Sequence, residues 1–175
     1  MAYEPAEDSF LLLKHLKTHC RGKSVLDMGT GFGILAETAL ENGASRVLAV
    51  DINPEQIKYV QQKGIPALVS DLFENVEGSF DVIVFNPPYL PELPGEEPAT
   101  KLVVSGGKEG YEIIERFLEQ ARKHLNPSGE ILFIFSSLTN KKKIDAIVKR
   151  LKYTFTCLDT EKHFYETLYL YYCRR

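Results

Sequence analysis

The stretch from Ser24 to Asp51, SVLDMGTGFGILAETALENGASRVLAVD, decides the fold. Ser24–Met28 is a short apolar run with a β-branched start and predicts a strand. A glycine-rich turn follows, Asp27-Met28-Gly29-Thr30-Gly31-Phe32-Gly33, and Ile34–Asn42 then shows helical periodicity closed by Gly43. Arg46–Asp51 (RVLAVD) predicts a second strand ending on a carboxylate. A strand, a tight glycine turn, a helix and a second strand make one unit of a parallel α/β sheet.

Working outward, Pro54 opens a helix to about Lys63, ended by Gly64. Ala67–Ser70 predicts a short strand and Phe80–Phe85 (FDVIVF) a buried one. Glu109–His124 predicts an amphipathic helix, Asn126–Gly129 a turn, and Glu130–Ser136 a strand. A basic helix from Lys141 and strands near Tyr153–Asp159 and Phe164–Tyr172 complete the chain. The last two strands are joined by about four residues, too few for a right-handed crossover, so the final strand must run antiparallel. The expectation is an α/β, Rossmann-like seven-stranded sheet, mostly parallel, with helices on both faces.

At 175 residues the chain has the size of one domain, expected over residues 1–175. Its 44% hydrophobic and 26% charged residues suit a soluble protein, and the net charge of −3 argues against a binder of phosphate backbones. There is no run of about 18 apolar residues and no signal-like N-terminus, so membrane and secreted readings are set aside. Cys20, Cys157 and Cys173 are far apart and form no Cys-x-x-Cys pair, as expected of a reduced, cytoplasmic protein. His15, His19, His124 and His163 have no companions at ligand spacing, and no metal site is assigned. Tyr165, Tyr169, Tyr171 and Tyr172 read as sheet packing, and the lysines from Lys141 onward as a solvated face.

Glycines let a backbone turn tightly and approach a ligand at a helix N-terminus. Asp51 stands where a carboxylate accepts both hydroxyls of a ribose. The Gly-x-Gly-x-Gly spacing differs from the Gly-x-Gly-x-x-Gly of a dinucleotide fingerprint. Asp27, ahead of the first glycine, would repel a pyrophosphate but suits a ligand carrying an ammonium and a sulfonium. S-adenosylmethionine is such a ligand. Asp71, in Ser70-Asp71-Leu72, reads either as an acceptor for the adenine amino group or as the cap of a helical turn.

Asn86-Pro87-Pro88-Tyr89 follows the Phe80–Phe85 strand, where open α/β sheets bind ligands. It opens a loop to Thr100 rich in proline (Pro87, Pro88, Pro91, Pro94, Pro98). The Asn86 amide oxygen and the Pro87 carbonyl can together hold both hydrogens of a planar –NH2 group. Held so, the nitrogen lone pair localises toward an electrophilic methyl without a strong base, and such positioning supplies ~7–11 kcal/mol of the barrier. Tyr89 would cover the planar group with its ring.

With these motifs the chain resembles the class I S-adenosylmethionine-dependent methyltransferases acting on planar amino groups, through DMGTGFG, VLAVD, SDL and NPPYLP. Tyr3-Glu4-Pro5-Ala6-Glu7-Asp8-Ser9 and Val104–Gly110 (VSGGKEG) are similar to the short, archaeal and eukaryotic HemK branch, which methylates glutamine N5 in translation release factors. The resemblance implies cofactor contacts at Ser9, Asp27, Gly29, Gly31, Asp51, Asp71, Leu72 and Asn86, with Pro5 and Glu7 nearby. It implies substrate contacts at Asn86, Pro87, Pro88 and Tyr89, the acceptor being the glutamine of a Gly-Gly-Gln tripeptide. Ser9 stands where the branch usually has threonine. The same resemblance implies a small zinc-binding activator as partner, and the apolar edge strand 66–70 is where another chain could add a strand.

Two rival functions share parts of this pattern. A DNA or RNA base-amine methyltransferase uses the same –NH2 chemistry, but Glu92, Glu96 and Glu97 beside the motif would repel phosphates. A non-catalytic cofactor-binding subunit would have no use for an intact Asn86-Pro87-Pro88-Tyr89.

Overall fold

A computed structural model of the protein describes residues 7–95, 97 and 104–175. The expectations attached to Tyr3, Glu4, Pro5, Ala6, Glu96, Pro98 and Thr100, and to the side chain of Glu7, lie outside the described residues.

Seven strands form one sheet: β1 (Ser24–Met28), β2 (Arg46–Asp51), β3 (Ala67–Val69), β4 (Phe80–Phe85), β5 (Leu125–Ser136), β6 (Thr154–Lys162) and β7 (Thr167–Arg174). Their order is β3-β2-β1-β4-β5-β7-β6. The first five pair in parallel, while β7 runs antiparallel between β5 and β6, as the short final connection requires. Among the described residues, five full helices cover the sheet: α1 (Glu7–His19), α2 (Ile34–Glu41), α3 (Pro54–Gln62), α4 (Glu112–Ala121) and α5 (Lys141–Arg150).

The period-2 alternation of the strands divides the core between the two faces. In β4, Val82 and Val84 point to the layer of α1, α2 and α3, against Leu12, Leu16, Leu35 and Val60. Ile83 and Phe85 point the other way, to Ile114, Phe117 and Leu118 of α4 and Ile144 and Val148 of α5. Both faces of the central strands are buried, which is why they are continuous apolar runs.

The structure differs from the sequence expectation in four places. Helix α1 was not among the expected elements. Helix α4 starts at Glu112 instead of Glu109, because Gly110 adopts φ +87° and the Glu112 carboxylate accepts from the Glu109 N–H at 2.9 Å. In β5 the Asn126–Gly129 turn lies inside the strand as a bulge: Leu125 pairs with Phe80 before it and Glu130 with Val82 after it. Finally, β7 begins at Thr167, and Tyr165 is 86% exposed at the hairpin tip, outside the sheet packing in which Tyr171 is buried.

Candidate active site

The chain reverses its direction of travel across the sheet between β1 and β4, and ligands bind beyond the carboxyl ends of strands at such a point. Met28 and Phe85 are register partners, so Gly29 and Asn86 leave the sheet side by side. A cavity of about 280 Å³ opens there, bounded by the start of α1 and by the segments following β1, β2, β3 and β4. Gly29, at φ +64°, could not carry a side chain without crowding the Phe85 ring, since a Cβ would lie 3.1 Å from its Cε2. Gly33, at φ +84°, presses against Val60 of α3 in the same way, 3.1 Å from Cγ2. The turn thus presents bare backbone at Gly29 and Gly31 to the cavity, beside Thr30 and Phe32, and α2 begins at its wall, with Ile34 and Leu35 in the lining.

On the β2 side, Asp51 is buried and lines the cavity. Its carboxylate accepts from the Gly31 N–H at 2.9 Å and from the Asn53 N–H at 2.9 Å. Burial raises its pKa, while these backbone donors work in the opposite direction. A carboxylate has about four acceptor sites, and the two that Gly31 and Asn53 leave open can take a ligand's hydroxyls once the Gln56 side chain swings aside. The Gln56 amide also reaches both oxygens, at 3.0 and 3.1 Å, when its NH2 end faces them. Asp71 lies on the lining, half exposed, with one oxygen paired to Arg116 of α4 at 2.9 Å. Leu72 beside it is held at φ +49°.

Asp27 occupies a different position. It is fully buried beneath the glycine turn and is absent from the cavity lining. Its Oδ2 accepts from the Thr30 hydroxyl at 2.6 Å and the Ala36 N–H at 3.0 Å, which ties the turn to the first turn of α2. Its Oδ1 is buried with no hydrogen-bond partner among the described residues. Desolvation pushes the carboxyl up to about 7, the Thr30 and Ala36 bonds opposing it.

On the β4 side, the Asn86 side-chain NH2 donates to the Ser9 hydroxyl at 3.2 Å. Its Oδ1 is buried and has no partner among the described residues, although Asn86 is on the cavity lining. An unsatisfied buried amide oxygen costs about 1–3 kcal/mol, and a ligand –NH2 would supply the missing donor. The Tyr89 hydroxyl donates to Asp8 Oδ2 at 3.1 Å, and Asp8 Oδ1 accepts the Ser9 N–H at 2.6 Å. The first turn of α1 therefore holds both polar side chains of the motif.

The motif is clamped from beneath as well. Leu90 exchanges backbone bonds with Val104 and Gly106, each at 2.9 Å, and the Thr139 hydroxyl donates to the Tyr89 carbonyl at 2.7 Å. A Cβ on Gly106 would sit 2.7 Å from the Pro88 carbonyl oxygen, and one on Gly110 would sit 2.6 Å from that of Tyr89. Gly106 and Gly110 have no room for a side chain because the Pro88–Leu90 backbone lies directly on them.

The cavity thus brings together Ser9, Gly29, Gly31, Asp51, Asp71, Leu72, Asn86, Pro87, Pro88 and Tyr89, and leaves Asp27 behind its wall. Sequence reasoning gave Asp8 and Thr139 no role. Asp8 could have been found from its place beside Ser9 in the N-terminal signature; no local pattern marks Thr139.

A glycine turn at the switch point, an acid after the second strand and an Asn-Pro-Pro-Tyr loop on a sheet of this order define a Rossmann-like methyltransferase. The family model for the methyltransferase small domain matches residues 5–165, and the chain belongs to that family. A Methanocaldococcus jannaschii protein provisionally named a protein N5-glutamine methyltransferase is 42% identical over 149 residues, covering 81% of this chain and 75% of that protein. The mouse methyltransferase HEMK2 is 31% identical over 165 residues, covering 84% of this chain and 77% of that protein. Among solved structures, a chain of the E. cuniculi Mtq2–Trm112 complex superposes with a TM-score of 0.82 at 28% identity, covering 99% of this chain and 98% of that one. That complex methylates the eRF1 translation termination factor. The protein is accordingly a methyltransferase.

Proposed function

We propose that this chain, as one catalytic domain, transfers a methyl group from S-adenosylmethionine to the side-chain N5 of a glutamine in a peptide chain release factor. The observation that carries this reading is the Asn86 amide, whose nitrogen end is held by Ser9 while its buried oxygen lacks a donor on the cavity wall. The names of the Methanocaldococcus and E. cuniculi relatives support glutamine and a termination factor as the acceptor.

The residues present suit the cofactor. Asp51 can accept ribose hydroxyls in place of Gln56, Asp71 and Leu72 flank the place for adenine, and Gly29 and Gly31 let the backbone approach. Asp27, titrating at about 7 beneath the turn, is drawn to its ionised form by a cationic ligand. S-adenosylmethionine, when bound, supplies an electrophilic methyl on a sulfonium. The chain's own work is orientation: Asn86 Oδ1 and the Pro87 carbonyl accept the two amide hydrogens, which turns the nitrogen lone pair toward the methyl. The Tyr89 ring covers the amide plane and Pro88 stiffens the loop between them.

A small partner fits the same reading, since the E. cuniculi relative works as a Trm112 complex. We place it on β3, an edge strand with Val69 39% exposed, and expect it to be a zinc-binding activator. Two carbonyls of β3 that face away from β2 are capped by the chain's own side chains: Gln61 Nε2 donates to Ala67 at 2.9 Å and Asn75 Nδ2 to Val69 at 3.1 Å. An added strand would replace both bonds with main-chain donors. The compartment is the cytoplasm, where release factors act; among the described residues no helix is long and apolar enough to cross a membrane.

The test is methyl transfer from labelled S-adenosylmethionine, with the activator present, to purified release factor and to total RNA offered separately. Label on the factor that disappears when its Gly-Gly-Gln glutamine is replaced is the expected result. Label on RNA alone would overturn the reading.

A further inference from the structure

The hairpin joining β6 to β7 is built against the rules of its own turn. The His163 N–H donates to the Glu166 carbonyl at 2.8 Å, so Phe164 and Tyr165 alone reverse the chain. Two-residue hairpin turns favour glycine, asparagine or aspartate, because the turns that match strand twist need positive φ. Here neither central residue adopts positive φ, and both are large aromatics. Phe164 is 90% exposed and Tyr165 86%, their rings edge to face on each other at 4.6 Å and contributing nothing to either core. A local choice that breaks turn chemistry and leaves two aromatic rings in water, without a gain in packing, marks a functional position.

The tip stands at the end of the sheet that carries the site. Leu168 of β7 pairs with Ser136, the last residue of β5, and the Thr167 N–H donates to the Ser137 hydroxyl at 3.0 Å. Ser137 begins the single turn that ends at Thr139, whose hydroxyl holds the Tyr89 carbonyl. The tip is thus connected to the catalytic loop through Thr167, Ser137, Thr139 and Tyr89, and Leu138 adds a half-exposed apolar side chain between them. The activator's proposed place, β3, is at the opposite edge of the sheet from β6.

From this we infer that Phe164 and Tyr165 form a docking prong for the acceptor protein, gripping the folded release factor away from the glutamine while Asn86 holds the glutamine itself. The inference rests on the reading of the function given above. Rigid aromatics anchor protein interfaces at little cost in side-chain entropy. A prong beside the active site would recruit a folded acceptor without touching the reacting atoms.

Replacing the pair with the turn-favoured Asn-Gly, as the double variant Phe164→Asn/Tyr165→Gly, tests this without threatening the fold, and Phe164→Ser/Tyr165→Ser guards against a change of turn geometry. Each is assayed with the activator, on whole release factor and on a short peptide spanning Gly-Gly-Gln. The expected result is a KM for the whole factor raised about tenfold or more, with kcat, activity on the peptide and the melting temperature kept. An unchanged KM for the whole factor overturns the prong, as does an equal fall on factor and peptide. Loss of activator binding or a shifted oligomeric state in the variants also overturns it, by assigning the tip to another occupant. A wild-type protein that labels neither factor nor peptide overturns the glutamine reading itself.

Discussion

Ser9 and Asn86 meet across the cavity mouth: the Asn86 amide nitrogen donates to the Ser9 hydroxyl at 3.2 Å, and the amide oxygen is left buried and unpartnered. The pair links the first turn of α1 to the carboxyl end of β4, segments 77 residues apart in sequence. If that oxygen grips the acceptor amide, Asn86→Ala lowers turnover by about 10²–10³-fold, the usual effect of removing one transition-state hydrogen bond. Ser9→Ala frees the amide to rotate and costs about 10–10²-fold, and Ser9→Thr, which keeps the hydroxyl, restores most of it. Single-turnover rates check both, and a double-mutant cycle should show that Ser9→Ala adds little once Asn86 is gone.

Tyr89 has two separable duties. Its hydroxyl is tied to Asp8 at 3.1 Å, and its ring lines the cavity. Tyr89→Phe keeps the ring and loses the tether, so a decrease of severalfold in kcat is expected, with Asp8→Asn similar and the two non-additive. Tyr89→Ala removes the ring and should raise KM for the peptide as well. Steady-state kinetics on a Gly-Gly-Gln peptide separate these outcomes.

The centre of the sheet was legible in the sequence because its strands are buried on both faces and read as apolar runs between glycine and proline punctuation. The register that sets Gly29 beside Asn86 could be expected from the switch point alone. What could not be read is contact between distant segments. Helix α1 has its apolar residues crowded at Leu11, Leu12, Leu13 and Leu16, a weak period for a helix that packs on one face. The buried position of Asp27 was hidden because the same acid serves equally well facing a ligand or holding a turn. Tyr165 failed the packing expectation because strand-favouring aromatics run up to the hairpin tip, and only the turn geometry marks where β7 begins.

Gly106 supplies a prediction about the loop's floor. Its φ is unexceptional, but a Cβ there would collide with the Gly110 carbonyl oxygen and lie 2.7 Å from that of Pro88, and backbone cannot yield as a side chain does. Gly106→Ala should cost about 1–3 kcal/mol by overpacking and displace Asn86-Pro87-Pro88-Tyr89. Denaturant unfolding reads the first effect. The second appears as a fall in kcat with S-adenosylmethionine affinity largely kept.

Asp27 makes both stability and cofactor affinity depend on pH, in opposite senses. Burial raises its pKa from 3.8 in the ordinary state to about 7 in the fold. Between about pH 4 and pH 7 the native protein therefore holds a proton that the unfolded chain has released. Its stabilising contribution is complete at the acid end and is lost as pH rises through that window. A cationic cofactor favours the ionised carboxylate, so binding releases the proton and tightens as pH rises through about 7. From one unit below that midpoint to one unit above, the carboxylate's contribution can strengthen binding by up to about tenfold. Asp27→Asn, which keeps an oxygen for Thr30 and Ala36, should flatten both profiles. Urea unfolding across the pH series and calorimetric titration of S-adenosylmethionine are the measurements. Profiles that keep their slope in the variant would move the titration to another group, such as Asp51, whose pKa burial also raises.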